Sequence, residues 1–322
     1  LTMPNYNGVW SLSTQYQYAA DWPSSPSLAL ISGGFDPDAA PLQTIDVLQI
    51  TTTGTCSDFG DLLNATAQMA NGQCSSSTRA IVSAGGINPN NEADVISFTT
   101  FASTGSVSDF GNLVVVQKKL ASLSNSTRGV FSGGEQGRSN VMQYISIASA
   151  GNTTDFGDLL SVAADLTSCA STTRGVVAGG IVSSGQDVIQ YITISTTANA
   201  TDFGNLTSER RLFGSLSNAT RGVFAGGYNG SAFVNEIQFI TIASTGNASD
   251  FGDMTTTNSE TSGVSSSIKG LFAGGINKDS GNETATIDFI TIASAGNATD
   301  FGDLTIARAS ANGSSAGHGG IA

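Results

Sequence analysis

Thr220-Arg221-Gly222-Val223-Phe224-Ala225-Gly226-Gly227 opens the stretch on which the reading of this chain turns. It continues through Glu236-Ile237-Gln238-Phe239-Ile240-Thr241-Ile242-Ala243 to Asp250-Phe251-Gly252-Asp253-Met254. Both end motifs recur. Asp-Phe-Gly begins at Asp58, Asp109, Asp155, Asp202, Asp250 and Asp300, at spacings of 51, 46, 47, 48 and 50 residues. A Gly-Gly pair closing a short apolar run begins at Gly33, Gly85, Gly133, Gly179, Gly226, Gly274 and Gly319. Two markers drifting together at about 48 residues define an internal repeat.

Each repeat reads as strands. The run before Gly-Gly is short, β-branched or aromatic, and bounded by Arg and Gly. In the next run, the positions 13 and 11 residues before Asp-Phe-Gly (Ile237 and Phe239 in the best repeat) share one strand face. The positions 10 and 8 before it (Ile240 and Ile242) share the other. Both faces are apolar, as in a strand sandwiched between neighbouring sheets. The Asp-Phe-Gly strand follows a Gly-Asn or Thr-Gly turn, and a weaker fourth segment such as 212–216 comes after it. No segment holds a 3.6-residue period, so an all-β fold without crossover helices is expected.

Four short antiparallel strands per repeat is the pattern of a β-propeller blade. The Gly-Gly run is expected innermost, where large side chains do not fit. Repeats fall at 28–77, 78–126, 127–172, 173–219, 220–267 and 268–315. Trp10 precedes Gly33 by the 23 residues that separate Phe251 from Gly274. Residues 1–27 therefore read as the last two strands of a closing blade and 316–322 as its first. The expectation is one domain, 1–322, a seven-bladed propeller whose last blade is closed by both termini, with six blades as the alternative.

Composition narrows the function. The chain has 322 residues, 25 acidic against 12 basic side chains and a net charge of -13. An acidic surface argues against nucleic acid and anionic membranes as partners. No apolar run is long enough to insert into a membrane as a helix, and no leader with a basic start is visible. The single histidine, His318, leaves little for nucleophilic triads, and the three cysteines lack metal-ligand spacing. Asp-Phe-Gly occurs in kinases, but here it lacks a glycine-rich nucleotide loop and occurs six times. No enzyme activity and no cofactor are expected. A bridge between Cys56 and Cys74, which share a repeat, is one pairing among the alternatives.

Two groups of residues stand out as candidate sites. Arg79, Arg128, Arg174 and Arg221 each precede the Gly-Gly run and are expected to pair with the aspartates Asp58, Asp109, Asp155, Asp202, Asp250 and Asp300. The alternative is a guanidinium ring for an anionic ligand. The second group sits in loops of variable length after each Gly-Gly: Asp36, Asp38, Asn88, Asn90, Asn91, Glu135, Arg138, Tyr228, Asn229, Lys278 and Asp279. Variable loops on one end of a rigid scaffold are where recognition resides.

The Gly-Gly run resembles the kelch repeat, without the tryptophan usual there. The fuller unit, from Thr220-Arg221-Gly222 through Gly246-Asn247-Ala248-Ser249-Asp250-Phe251-Gly252, resembles repeats in structural and tail-fibre-like proteins of marine bacteriophages. The opening Gly8-Val9-Trp10-Ser11-Leu12 with Asp21-Trp22-Pro23 is similar to the segment before such repeats. The resemblance implies a virion component on the particle surface or a tail appendage. Its partners would be other virion proteins and a host-surface glycan or receptor, with self-association in the particle a further option. Two other roles stay open: a carbohydrate-active enzyme on a propeller, and a module that only packs.

Overall fold

The computed structural model describes residues 27–69, 71–83, 85–88, 91–92 and 94–321. Among them every regular element is a strand, and the large sheets are antiparallel, an arrangement consistent with a β-propeller. One sheet shows the pattern: Gly214–Ser217, Arg221–Ala225, Glu236–Thr241 and Ser249–Asp253 lie side by side in chain order. Three others repeat it, and a fifth has the same four places with its inner strand drawn from the end of the chain. A sixth has three strands (Arg79–Val82, Val95–Thr100, Ser108–Asn112), with Ser75 bridged to Ala80 in the place of the fourth.

Strand order departs from the expectation in one respect. The Gly-Gly run is the second strand, not the innermost. The innermost is the weak segment left over from the preceding repeat, here Gly214–Ser217 and elsewhere Thr167–Ala170 or Ser262–Ser265. These strands are built largely from Gly, Ser, Ala and Thr, with one larger residue such as Leu216, Cys169 or Val264 turned to the packing between sheets, because all of them converge on a common hub. Their small side chains bond from sheet to sheet. Ser124 Oγ donates to the Ser75 carbonyl, Ser217 Oγ to Ala170, Ser265 Oγ to Ser217 and Ser315 Oγ to Ser265, at 2.7–2.9 Å.

The chain ends are corrected as well. Asn312–Ser315, not 316–322, is the last strand, and it pairs with Leu28–Ser32, so the first described sheet takes its inner strand from the end of the chain. Residues 316–321 form buried turns against the hub, where Gly319 N–H donates to the Ser217 carbonyl. Gly320 is required there, since a Cβ would collide with the Ser124 carbonyl. Of the residues expected to complete a seventh blade, 1–26 lie outside the described residues.

Six apolar clusters lie between neighbouring sheets among the described residues. In one of them Val176, Ile189 and Phe203 of one sheet meet Phe224, Ile240 and Ile242 of the next. Another joins Val264, Leu271 and Phe301 to Ala29, Ile31 and Leu48, so the last sheet packs on the first. The apolar character of both strand faces follows from this double burial.

The third residue of Asp-Phe-Gly serves the same packing. Gly204 lies at φ 147°, and a Cβ there would strike the carbonyl of Gly246 in the next sheet. The equivalent approach recurs from Gly60 to Gly105 and from Gly302 to Gly54. A buried polar side chain in five of the six third strands adds a latch. Gln190 Oε1 accepts from Leu160 N–H at 2.8 Å, Gln238 Oε1 from Thr207 N–H at 2.9 Å, and Asp46 Oδ2 from Thr305 N–H at 2.7 Å.

Candidate functional site

At one end of the hub, the connection entering each inner strand turns through a residue with left-handed backbone. These residues are Gln68, Lys119, Asp165, Leu212, Glu260 and Ser310, with φ between 54° and 59°. Each stands ten residues after the aspartate of Asp-Phe-Gly. Left-handed backbone costs a side-chain-bearing residue roughly 1–2 kcal/mol. Backbone bonds link several of these turns: Lys119 N–H donates to Gln68 O at 2.9 Å, Glu260 N–H to Leu212 O at 2.8 Å and Ser310 N–H to Glu260 O at 3.0 Å.

The six side chains are half-buried and line one depression. Its floor includes Asn71, whose side-chain amide reaches across the hub to the Phe213 carbonyl at 2.5 Å. The depression is half open to solvent and holds about 40 Å³, room for roughly three water molecules. Lys119 Nζ lies 3.2 Å from Glu135 Oε2 and 3.6 Å from Asp165 Oδ1. Burial works against the Lys119 charge, but the Asp165 and Glu135 carboxylates outweigh it and raise its pKa. Burial raises the pKa of Asp165, against the pull of Lys119. Asp165 Oδ1 is buried and accepts no hydrogen bond. Glu260 accepts from Ser310 Oγ.

Just behind the ring, two fully buried arginines brace the connections. Arg308 bonds Asp46 Oδ1 at 3.0 Å and the Gly33 and Thr44 carbonyls, while Arg210 bonds Glu236 Oε2 at 2.6 Å and the Gly226 carbonyl. Burial lowers the pKa of both guanidinium groups, a shift opposed by their carboxylate partners.

The variable loops start beside these connections, on the same end. Phe35 N–H bonds the Ala309 carbonyl, Glu135 N–H that of Lys118, Tyr228 N–H that of Arg211 and Lys278 N–H that of Thr257. Glu135 thus reaches the ring itself. Several other loop residues serve the loop: Asp36 Oδ1 caps the Asp38 and Ala40 N–H groups, and Asn229 Oδ1 those of Ser231 and Ala232. Tyr228 stacks at 5.0 Å on Phe233, with Arg211 over one ring and Lys278 over the other. Asp38, Arg138 and Asp279 are exposed. Asn88 and Asn91 fall in a short strand pair, and Asn90 lies outside the described residues.

The expected Arg–Asp pairing does not form. Arg79, Arg128, Arg174 and Arg221 stack on Phe98, Tyr144, Tyr191 and Phe239 at 4.2–4.4 Å. Each donates to a backbone carbonyl of the next sheet: Ile147, Ile194, Ile242 and Ile292, at 2.7–2.9 Å. The reason is strand spacing. Arg sits on the second strand and Asp on the fourth, about 10 Å apart across the third. Asp58, Asp109, Asp155, Asp202, Asp250 and Asp300 are all exposed. Asparagines of the turn between the third and fourth strands join neighbouring sheets: Asn199 Oδ1 accepts from Asp158 N–H and Asn247 Oδ1 from Asn205 N–H, both at 3.0 Å.

Cys56, Cys74 and Cys169 are free and buried, and burial pushes each thiol up to about 12. The ring at the hub escaped the sequence reading, although its offset of ten residues is regular. The signal was variability at a fixed place in the repeat. No family model matches the chain, and no curated protein matches it either.

Proposed function

We propose that the chain is a closed six-bladed β-propeller that acts without catalysis as a surface-displayed recognition module of a virion. Six blades are favoured over seven because Asn312–Ser315 already completes the first described sheet with Leu28–Ser32. The particle assignment rests on the resemblance of the repeat unit to phage structural and tail-fibre-like proteins. Its partners would be other virion proteins and a host-surface glycan or receptor.

One observation carries the recognition role. Residues that differ from repeat to repeat, in the loops and in the ring, gather at one end of the scaffold. The opposite end repeats the same Arg–aromatic stack and Gly-Asn turn. Uniform parts hold the scaffold together, and the changing parts face a partner.

Glycoside hydrolysis is the second reading, because Asp165 and Glu260 line the same depression. A space for roughly three waters does not enclose a glycosidic linkage between two carboxyl groups, so binding is preferred. Antibodies against the loop end are expected to label intact particles and block adsorption to host cells. Labelling without any effect on adsorption would replace recognition with a packing role. Release of reducing sugar from host glycans by the purified chain would favour the enzyme.

A further inference from the structure

Five of the six described sheets carry a cation over an aromatic ring at the end opposite the loops. Besides the four arginines, Lys269 lies 5.1 Å from the centre of the Phe289 ring and donates to the Thr51 carbonyl at 3.1 Å. The sheet that holds Leu28–Ser32 departs from this. Leu28 takes the place of the arginine, pairing with Gln49 as Arg128 pairs with Ser146. Val47 takes the place of the ring, pairing with Leu30 as Tyr144 pairs with Val130. Both pack partly buried toward the second sheet. Neither fills the space that a guanidinium and a ring would occupy. A groove of about 290 Å³, half open to solvent, lies there between Leu28, Val47 and the turn 52–55. Leu28 also brings no donor to the Phe101 carbonyl, the counterpart of the isoleucine carbonyls that the arginines reach. At the far end of the same seam, Ser97 replaces the glutamine or aspartate of the latch.

We propose that this groove seats the indole of Trp22, so that the segment before Ser27 straps the sheet of Leu28–Ser32 to the one that follows it. The inference does not depend on the recognition role. Position comes first. The Ser27 carbonyl accepts from Ile50 N–H at 2.8 Å and its hydroxyl bonds Thr51 Oγ1 at 3.1 Å, beside Thr52 of the lining, so the preceding chain starts at the mouth of the groove. Trp22 is six residues from Leu28, a reach of up to about 20 Å. Composition agrees: residues 1–26 hold both tryptophans, three of the six tyrosines and one charged side chain, Asp21. Chemistry selects the indole. It brings a broad apolar face for Leu28 and Val47 and a single N–H for a carbonyl, which together replace the ring and the guanidinium of the other sheets.

The full chain carries the test, because its indole fluorescence comes from residues 1–26 alone. In Trp10→Phe only Trp22 emits, and it should do so at short wavelength, with acrylamide quenching several-fold weaker than for free tryptophan. Leu28→Arg with Val47→Tyr rebuilds the stack of the other sheets and fills the groove, so its thermal midpoint should hold or rise. In that background Trp22 should emit at long wavelength and be quenched as free tryptophan is. Val47→Phe, which adds only a ring, repeats the comparison should the double variant misfold. Trp22→Ser should lower the thermal midpoint of the parent and leave that of the filled variant unchanged. Long-wavelength emission from Trp22 in Trp10→Phe overturns the proposal, as does short-wavelength emission that persists once the groove is filled. An equal loss of stability from Trp22→Ser in both backgrounds places the indole elsewhere and overturns it too. Shielding lost on dilution, as a dimer dissociates in sedimentation, gives the groove to a second copy's segment and overturns a strap within one chain.

Discussion

Ser75 Oγ donates to the carbonyl of Ser315 at 2.8 Å, joining residues 240 positions apart in the chain. This link ties the inner segment of one sheet to the inner strand of the sheet that holds both Leu28–Ser32 and Asn312–Ser315. Replacing Ser75 with Ala should cost about 1 kcal/mol, the net value of one buried hydrogen bond. Deleting residues 312–322 should abolish the cooperative unfolding transition, because Leu28–Ser32 then loses its inner neighbour. A truncated chain that melts like the parent in calorimetry would contradict this.

Arg174 should be coupled to Tyr191 and not to Asp202. In a double-mutant cycle with Arg174→Ala and Tyr191→Leu, the expected coupling is about 1 kcal/mol. Asp202→Asn should shift stability by less than about 0.5 kcal/mol, as surface changes do. Urea denaturation of the four cycle proteins and the asparagine variant decides it.

Ser97 marks the weak latch. At its place in the other repeats stand Asp46, Gln143, Gln190, Gln238 and Asp288, and each accepts a backbone N–H from the preceding sheet. Serine is too short to do so, and a small cavity lined by Leu63, Val95 and Ser97 lies there. Ser97→Gln should therefore stabilise the protein by about 1 kcal/mol, seen as a higher urea midpoint with unchanged slope. A lower midpoint would mean that the cavity is too tight for the longer side chain.

His318 gives the fold a pH dependence of known sign. Its Nδ1 accepts from Gly320 N–H at 3.1 Å, which leaves the proton on Nε2, facing the Ser75 carbonyl at 3.4 Å. Burial pushes its pKa down to about 4, so the folded ring stays neutral where the unfolded one takes up a proton. Its stabilising contribution is complete above pH 6.5 and is lost as pH falls toward 4, by roughly 3 kcal/mol at most. It is the only histidine in the chain. Stability measured at pH 7, 5 and 4 should therefore fall less in His318→Asn than in the parent, and parallel curves would refute the assignment.

The repeat, its length and its all-β character were legible because Asp-Phe-Gly and Gly-Gly recur in step. Which strand lies innermost was not. Gly214-Ser215-Leu216-Ser217 carries little β propensity and no hydrophobic alternation, since the hub selects for smallness rather than apolarity. The arginine partners were hidden for another reason. Each is a backbone carbonyl 66–71 residues away, and every residue type supplies a carbonyl. The loop positions could be read from their irregular length. The ring left only its variability at a fixed offset to be read, because left-handed backbone at Lys119, Leu212 or Glu260 has no signature in those residue types.

The strand Asn312–Ser315 has a consequence for biosynthesis. The sheet that holds Leu28–Ser32, the earliest among the described residues, waits for a strand made almost 300 residues later. Until then the edge of Leu28–Ser32 offers unpaired amides and carbonyls to any neighbouring nascent chain. Translation speed and crowding on the polysome should therefore govern the yield of native protein more than they would for a domain whose first elements pair with each other.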